Sequence, residues 1–118
     1  MNEPDEWELR YYRTVGGRVP FREWRDALVD RKAATAIKLR LYRIERGLFG
    51  DCRPVGEGVM EIRVDVGPGY RGYFFRSGRR VVLLLCGGDK RTQSGDIEKA
   101  KQFRREYEKR THGTLGSG

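Results

Sequence analysis

The chain has 118 residues, 37% hydrophobic and 36% charged, which leaves room for one domain with one modest core beneath a densely charged surface. Its 25 Lys and Arg against 17 Asp and Glu give a formal charge of +8, and Glu3, Asp5, Glu6 and Glu8 gather acid at the start, so the remainder is more basic still. A polyanionic partner is therefore expected, whereas membrane insertion, secretion and histidine or zinc chemistry are not: the longest apolar run, 81–86, is strand-length, the N-terminus is acidic, and His112 is the lone histidine.

In chain order, Trp and Tyr over 7–14 predict a first strand, broken by Gly16 and Gly17. Pro20 suits the first turn of a helix carrying Phe21, Trp24 and Leu28 at helical spacing. A second helix carries Ala34, Ile37, Leu41, Ile44 and Leu48 on one face; Lys32, Lys38, Arg40, Arg43 and Arg46 occupy the rest, with Glu45 the single acid, and Gly47 and Gly50 end it. From Val59 the period becomes two. Met60, Ile62, Val64 and Val66 alternate with Glu61, Arg63 and Asp65, the pattern of a strand with one buried face. Gly67-Pro68-Gly69 predicts a turn, 70–75 and 81–86 two more strands joined at Ser77-Gly78, and Gly87-Gly88 a stop. A final helix from about Ser94 places Ile97, Ala100, Phe103 and Tyr107 on one face, and 111–118 reads as a disordered tail. The expectation is an α+β fold: one domain over 1–110, an antiparallel sheet of about four strands, and helices packed on one face. Cys52 and Cys86, far apart, read as reduced thiols of a cytoplasmic protein.

Centring the hairpin on Gly67 pairs Arg63 with Arg71 and Glu61 with Tyr73 on the solvent face, with Lys90 and Arg91 following the third strand toward the same end. Such a group suits RNA cleavage. Attack of a ribose 2′-hydroxyl on the adjacent phosphorus builds charge on phosphoryl oxygens, which Arg and Lys stabilise while a carboxylate takes the proton and an ammonium or phenol assists the leaving oxygen. No metal or cofactor is needed for this chemistry. A second reading stays open: Glu61 and Arg63 as a solvated strand face making ordinary ion pairs. Asp89, Asp96 and Glu98 read as helix-capping acids, since the surrounding positive charge opposes a magnesium site. Lys38 and Arg43 on the second helix suit a phosphate or acidic-protein contact, and Trp7 and Trp24 read as core.

The segments Gly56-Glu57-Gly58-Val59-Met60-Glu61-Ile62-Arg63, Gly67-Pro68-Gly69-Tyr70-Arg71 and Leu84-Leu85-Cys86-Gly87-Gly88-Asp89-Lys90 resemble the addiction-module killer branch of the RelE/HigB/ParE toxin superfamily. Pro20-Phe21-Arg22-Glu23-Trp24, Gly47-Leu48-Phe49-Gly50-Asp51 and Asp96-Ile97-Glu98-Lys99-Ala100-Lys101 extend the likeness over about residues 5–109. The resemblance implies a microbial-RNase-type fold and the toxin half of a type II toxin–antitoxin pair. It also implies messenger RNA cleavage, often on the ribosome, and a cognate helix-turn-helix antitoxin through which operator DNA is reached. Arg71 matches the arginine that touches the scissile phosphate in RelE-like enzymes, while Arg63 and Lys90 fall at or near basic positions. Glu61 as base rests on chemistry alone, and Arg91, Tyr73, Lys38 and Arg43 are assigned to RNA binding. The tyrosine or histidine that many relatives carry after the last strand is absent, and Gly72 and Gly95 stand where larger residues are expected. The alternatives are a ParE-like inhibitor that binds DNA gyrase without catalysis, and a detoxified module serving antitoxin binding and autoregulation.

Overall fold

The computed structural model describes residues 6–116. In chain order it runs β1 (Glu8–Tyr11), α1 (Pro20–Asp26), α2 (Arg31–Glu45), β2 (Cys52–Gly56), β3 (Val59–Val64), β4 (Tyr70–Arg76), β5 (Val81–Asp89), a single 3-10 turn (Lys90–Thr92) and α3 (Gln93–Gly116). The class is α+β. The sheet has five strands in the order β1-β5-β4-β3-β2, and β1 runs parallel to β5 while the other pairs are antiparallel. The sheet is thus mixed, where an antiparallel sheet of about four strands was expected.

Two physical features set this difference. β2 lacks the alternation that marks a half-buried strand, carries Pro54 and lies at the edge, the place where a strand tolerates proline. It joins β3 through Glu57 and Gly58, both at positive φ (53° and 79°), the backbone of a tight hairpin. β1 reaches β5 only through contacts distant in sequence, which no local pattern reports.

The helices do not share one face. Phe21 of α1 and Ile37, Leu41 and Ile44 of α2 pack on Ile62, Val64, Phe74, Val82 and Leu84. Ala100 of α3, flanked by Ile97, Phe103 and Tyr107, packs on Val59, Tyr73, Phe75, Leu83 and Leu85 from the other side. Three layers result, with the sheet in the middle. Asp30 caps α2, its carboxylate accepting from the amides of Lys32 (2.9 Å) and Ala33 (3.2 Å). Arg40 leaves the cationic surface of α2: its guanidinium turns inward and donates to the carbonyls of Arg63, Phe49 and Asp51, tying the helix to β3 and the preceding loop. Leu48 lies beyond the end of α2 and is exposed.

Gly87 and Gly88 do not stop β5, which continues to Asp89. They let the strand be approached on both sides. A Cβ on Gly87 would stand 2.2 Å from the indole of Trp24, and one on Gly88 would stand 1.9 Å from a carboxylate oxygen of Asp96. At Gly87 the packed indole leaves no room for a side chain, and at Gly88 one would force Asp96 and Thr92 aside. α3 continues through Thr111 to Gly116, where a disordered tail was expected; positions 117–118 lie outside the described residues. Among the described residues no helix is long and apolar enough to cross a membrane.

Candidate functional site

The turn at Gly67 and Gly69, both at positive φ, fixes the hairpin register. Arg63 lies opposite Arg71, and Glu61 opposite Tyr73, as the sequence predicts. Arg71 is in turn opposite Gly88 of β5. Lys90 joins them: its amide donates to the Gly69 carbonyl (3.0 Å), and a Cβ on Gly69 would lie 3.6 Å from both Arg71 Nη1 and Lys90 Cδ. Arg63, Arg71 and Lys90 thus gather at one end of the sheet.

The expected solvent face is not open, however. The first turn of α3 covers Glu61 and Arg71, which are only 1% and 2% exposed, and Tyr73 is fully buried. Glu61 Oε2 accepts from the Tyr73 hydroxyl (3.1 Å) and from Gln93 Nε2 at the start of α3 (2.7 Å). Its other oxygen faces Arg71 Nε at 4.0 Å, and neither atom has a hydrogen-bond partner. Arg71 Nη1 donates to the Tyr70 carbonyl (2.9 Å) and lies 3.5 Å from exposed Asp65. Burial, and then the Glu61 charge beside it, push the Tyr73 phenol far above its ordinary range. Burial and the Asp96 charge push the neighbouring Cys86 thiol up to about 12. Both therefore stay protonated at neutral pH. Three of the residues expected to meet substrate, Glu61, Arg71 and Tyr73, form instead a buried polar knot that ties β3, β4 and α3 together.

The groups left accessible are cationic. Arg63 is half-buried and Lys90 exposed, and among the described residues neither side chain has a hydrogen-bond or ion-pair partner. Arg91 is exposed and pairs with Asp89 at 3.0 Å; that hydrogen bond holds the Asp89 carboxyl below its usual range. Asp89 also caps the 3-10 turn by accepting from the Arg91 amide (2.8 Å), and Asp96 accepts from the Thr92 hydroxyl. Asp89 thus serves as a cap, as expected, whereas Asp96 sits inside the first turn of α3 and accepts from a side chain. Lys38 and Arg43 are exposed on α2, across the sheet from Glu61, so they do not join Arg63 and Lys90. Gly72 faces Phe21, 3.2 Å from where its Cβ would stand, while a Cβ on Gly95 would meet open space.

Gln93 and Asp65 are the members of this cluster that sequence reasoning missed. Asp65, one residue past β3, continues the odd-numbered alternation of Glu61 and Arg63, so its reach to Arg71 was available from the register. The Gln93 contact required knowing that α3 returns across that face.

Fold and site together define a small three-layer α+β protein with a buried Arg–Glu–Tyr–Gln knot beneath a cationic sheet end. It is similar, at 42% identity over 86 residues, to an uncharacterized protein of Haemophilus influenzae, the match spanning 73% of this chain and 87% of that protein. The two belong to one family. No family model matches the chain, and no solved structure matches it.

Proposed function

We propose that this chain is a RelE/HigB-like toxin of a type II toxin–antitoxin pair and that it acts on messenger RNA through the sheet end bearing Arg63, Lys90 and Arg91. One observation carries this reading: at that end two cations, Arg63 and Lys90, have no acceptor among the described residues, beside a buried Arg71 guanidinium that faces Glu61. Such unneutralised groups suit phosphoryl oxygens that gain charge as a 2′-hydroxyl attacks. The α+β class is compatible with the fold that the resemblance implies, and a +8 chain suits a polyanion. In this reading Arg71 positions the site and Arg63 and Lys90 touch the phosphate, with neither metal nor cofactor. The partner is a helix-turn-helix antitoxin, which links the toxin to operator DNA.

The experiment is incubation with RNA alone and with translating ribosomes, in EDTA. Products ending in 2′,3′-cyclic phosphate and 5′-hydroxyl support the proposal; intact RNA in both settings overturns its catalytic half. A second reading draws on the sealing of Glu61 and Tyr73, which removes the proton-transfer groups that contribute about 10²–10⁴ to such reactions. It makes the chain a toxin that binds its target, as ParE-like proteins bind gyrase, without cutting. Gyrase-dependent DNA damage with intact RNA would select it.

A further inference from the structure

Beside this cationic end, on the α1 side of the sheet, lies an open hollow of about 220 Å³ between α1 and the end of β5. Trp24 of α1 and Ala27 and Leu28 just past its end line one side; Tyr70 of β4, Asp89 at the end of β5 and Thr92 of the 3-10 turn line the other. Two half-buried aromatic rings stand on it. Trp24 is set edge-on to Phe21 (5.3 Å between centroids) and lies against the bare backbone of Gly87. Tyr70 is the cross-strand partner of Asp89. The polar groups sit with Asp89 and Thr92, while the helix side is apolar. The hollow is smaller than the roughly 300 Å³ at which drug-sized sites begin, so it fits one planar ring system and not a whole nucleotide. Lys90 follows directly on Asp89 and is exposed, so one cation, free among the described residues, stands beside the polar end of the hollow.

We infer that this hollow is a nucleobase subsite: one base lies against Trp24 and Tyr70 while its phosphate meets Lys90. The inference rests on the RNA-directed reading above and adds a base-recognition role that the cations alone cannot supply. Aromatic and apolar walls accept any base face. The Asp89 carboxylate takes two bonds from Arg91 and keeps lone pairs free, so it favours bases that present an amino group.

The test uses the full chain carrying Trp7→Phe, which leaves Trp24 as the sole tryptophan. The four nucleoside monophosphates, ribose 5-phosphate and a 2′-O-methyl oligoribonucleotide are titrated against its fluorescence. Saturable quenching by nucleotides and not by ribose 5-phosphate is expected. Ala27 is exposed, so Ala27→Phe fills the hollow without entering the core, and it should weaken binding by about tenfold or more with an unchanged melting temperature. Asp89→Asn, which retains the cap, should narrow the preference for cytidine over uridine monophosphate. Tighter binding of the oligomer than of any monomer, both weakened by Ala27→Phe, assigns the subsite to RNA; monomer binding alone assigns it to a free nucleotide. Oligomer binding without Trp24 quenching, unaffected by Ala27→Phe, overturns the inference, leaves the RNA reading standing and gives the hollow to an aromatic side chain of a protein partner. Nucleotide quenching without any effect on RNA or ribosomes would keep the subsite and sink the toxin reading.

Discussion

Replacing Arg71 with Met tests whether the buried knot holds the fold. Arg71 and Glu61 are both sealed from solvent, so removing the guanidinium leaves a carboxylate uncompensated in the interior, at a cost of about 3–5 kcal/mol. The Tyr73 and Gln93 hydrogen bonds survive on Glu61, which places the cost toward the lower figure. Asp65 adds little, since its side chain is 68% exposed and such pairs are screened. A domain of this size has only about 5–15 kcal/mol in total, so the variant should unfold at markedly lower urea. Adding Glu61→Gln removes the stranded charge and keeps an amide for Tyr73 and Gln93, and should restore about half of the loss or more. Urea unfolding of the wild type, both single variants and the double variant gives the coupling directly. An Arg71→Met cost under about 1 kcal/mol, or a double variant weaker than Arg71→Met alone, would refute the reasoning. Loss of toxicity in an Arg71 variant consequently reports on folding first, and only beside a melt on chemistry.

The glycines at the strand end and the helix start should respond in opposite directions. Gly87→Ala drives a methyl into the Trp24 indole and should cost at least about 1–3 kcal/mol, whereas Gly95→Ala, in open space in the first turn of α3, should gain about 0.5–1 kcal/mol; thermal melts of both check this. Stability should fall above about pH 9. Cys86, raised by burial from 9.0 to about 12, and Tyr73, raised likewise, are held neutral in the fold, so the unfolded chain releases their protons first as pH rises. The stabilisation is complete below pH 9; the Cys86 share is lost between 9 and 12 and the Tyr73 share only above its ordinary 10.0, each by up to about 1.4 kcal/mol per pH unit; urea midpoints that stay flat from 9 to 12 would contradict it.

The local elements were legible where one pattern dominates. The 3.6-residue spacing of Ile37, Leu41 and Ile44 gives α2, and Gly67-Pro68-Gly69 fixes a register in which every expected cross-strand pair is present. The alternation in β3 was misleading because it has one apolar face and one charged face, which reads as half-solvated. The signal that both faces are covered lies in the next two strands: Tyr73, Phe74 and Phe75, then 82–86, are apolar without a break, as in strands buried on both sides. Taken with the apolar stripe of α3, those runs place a helix over Glu61 and Arg71. The parallel pairing of β1 and the Gln93 contact depend on distant chain segments, and no periodicity carries them.

The most direct test of the account is the salt dependence of binding to a 2′-O-methyl oligoribonucleotide, which lacks the attacking hydroxyl and so stays intact. Each phosphate contact contributes about 0.7 to the slope of log affinity against log salt for a single strand. Replacing Arg63, Lys90 and Arg91 together by Ala should lower that slope by about 2 and leave the melting temperature unchanged, because among the described residues two of these side chains have no partner and the third has only an exposed pair. An unchanged slope in a folded triple variant would contradict the claim that this end of the sheet meets RNA.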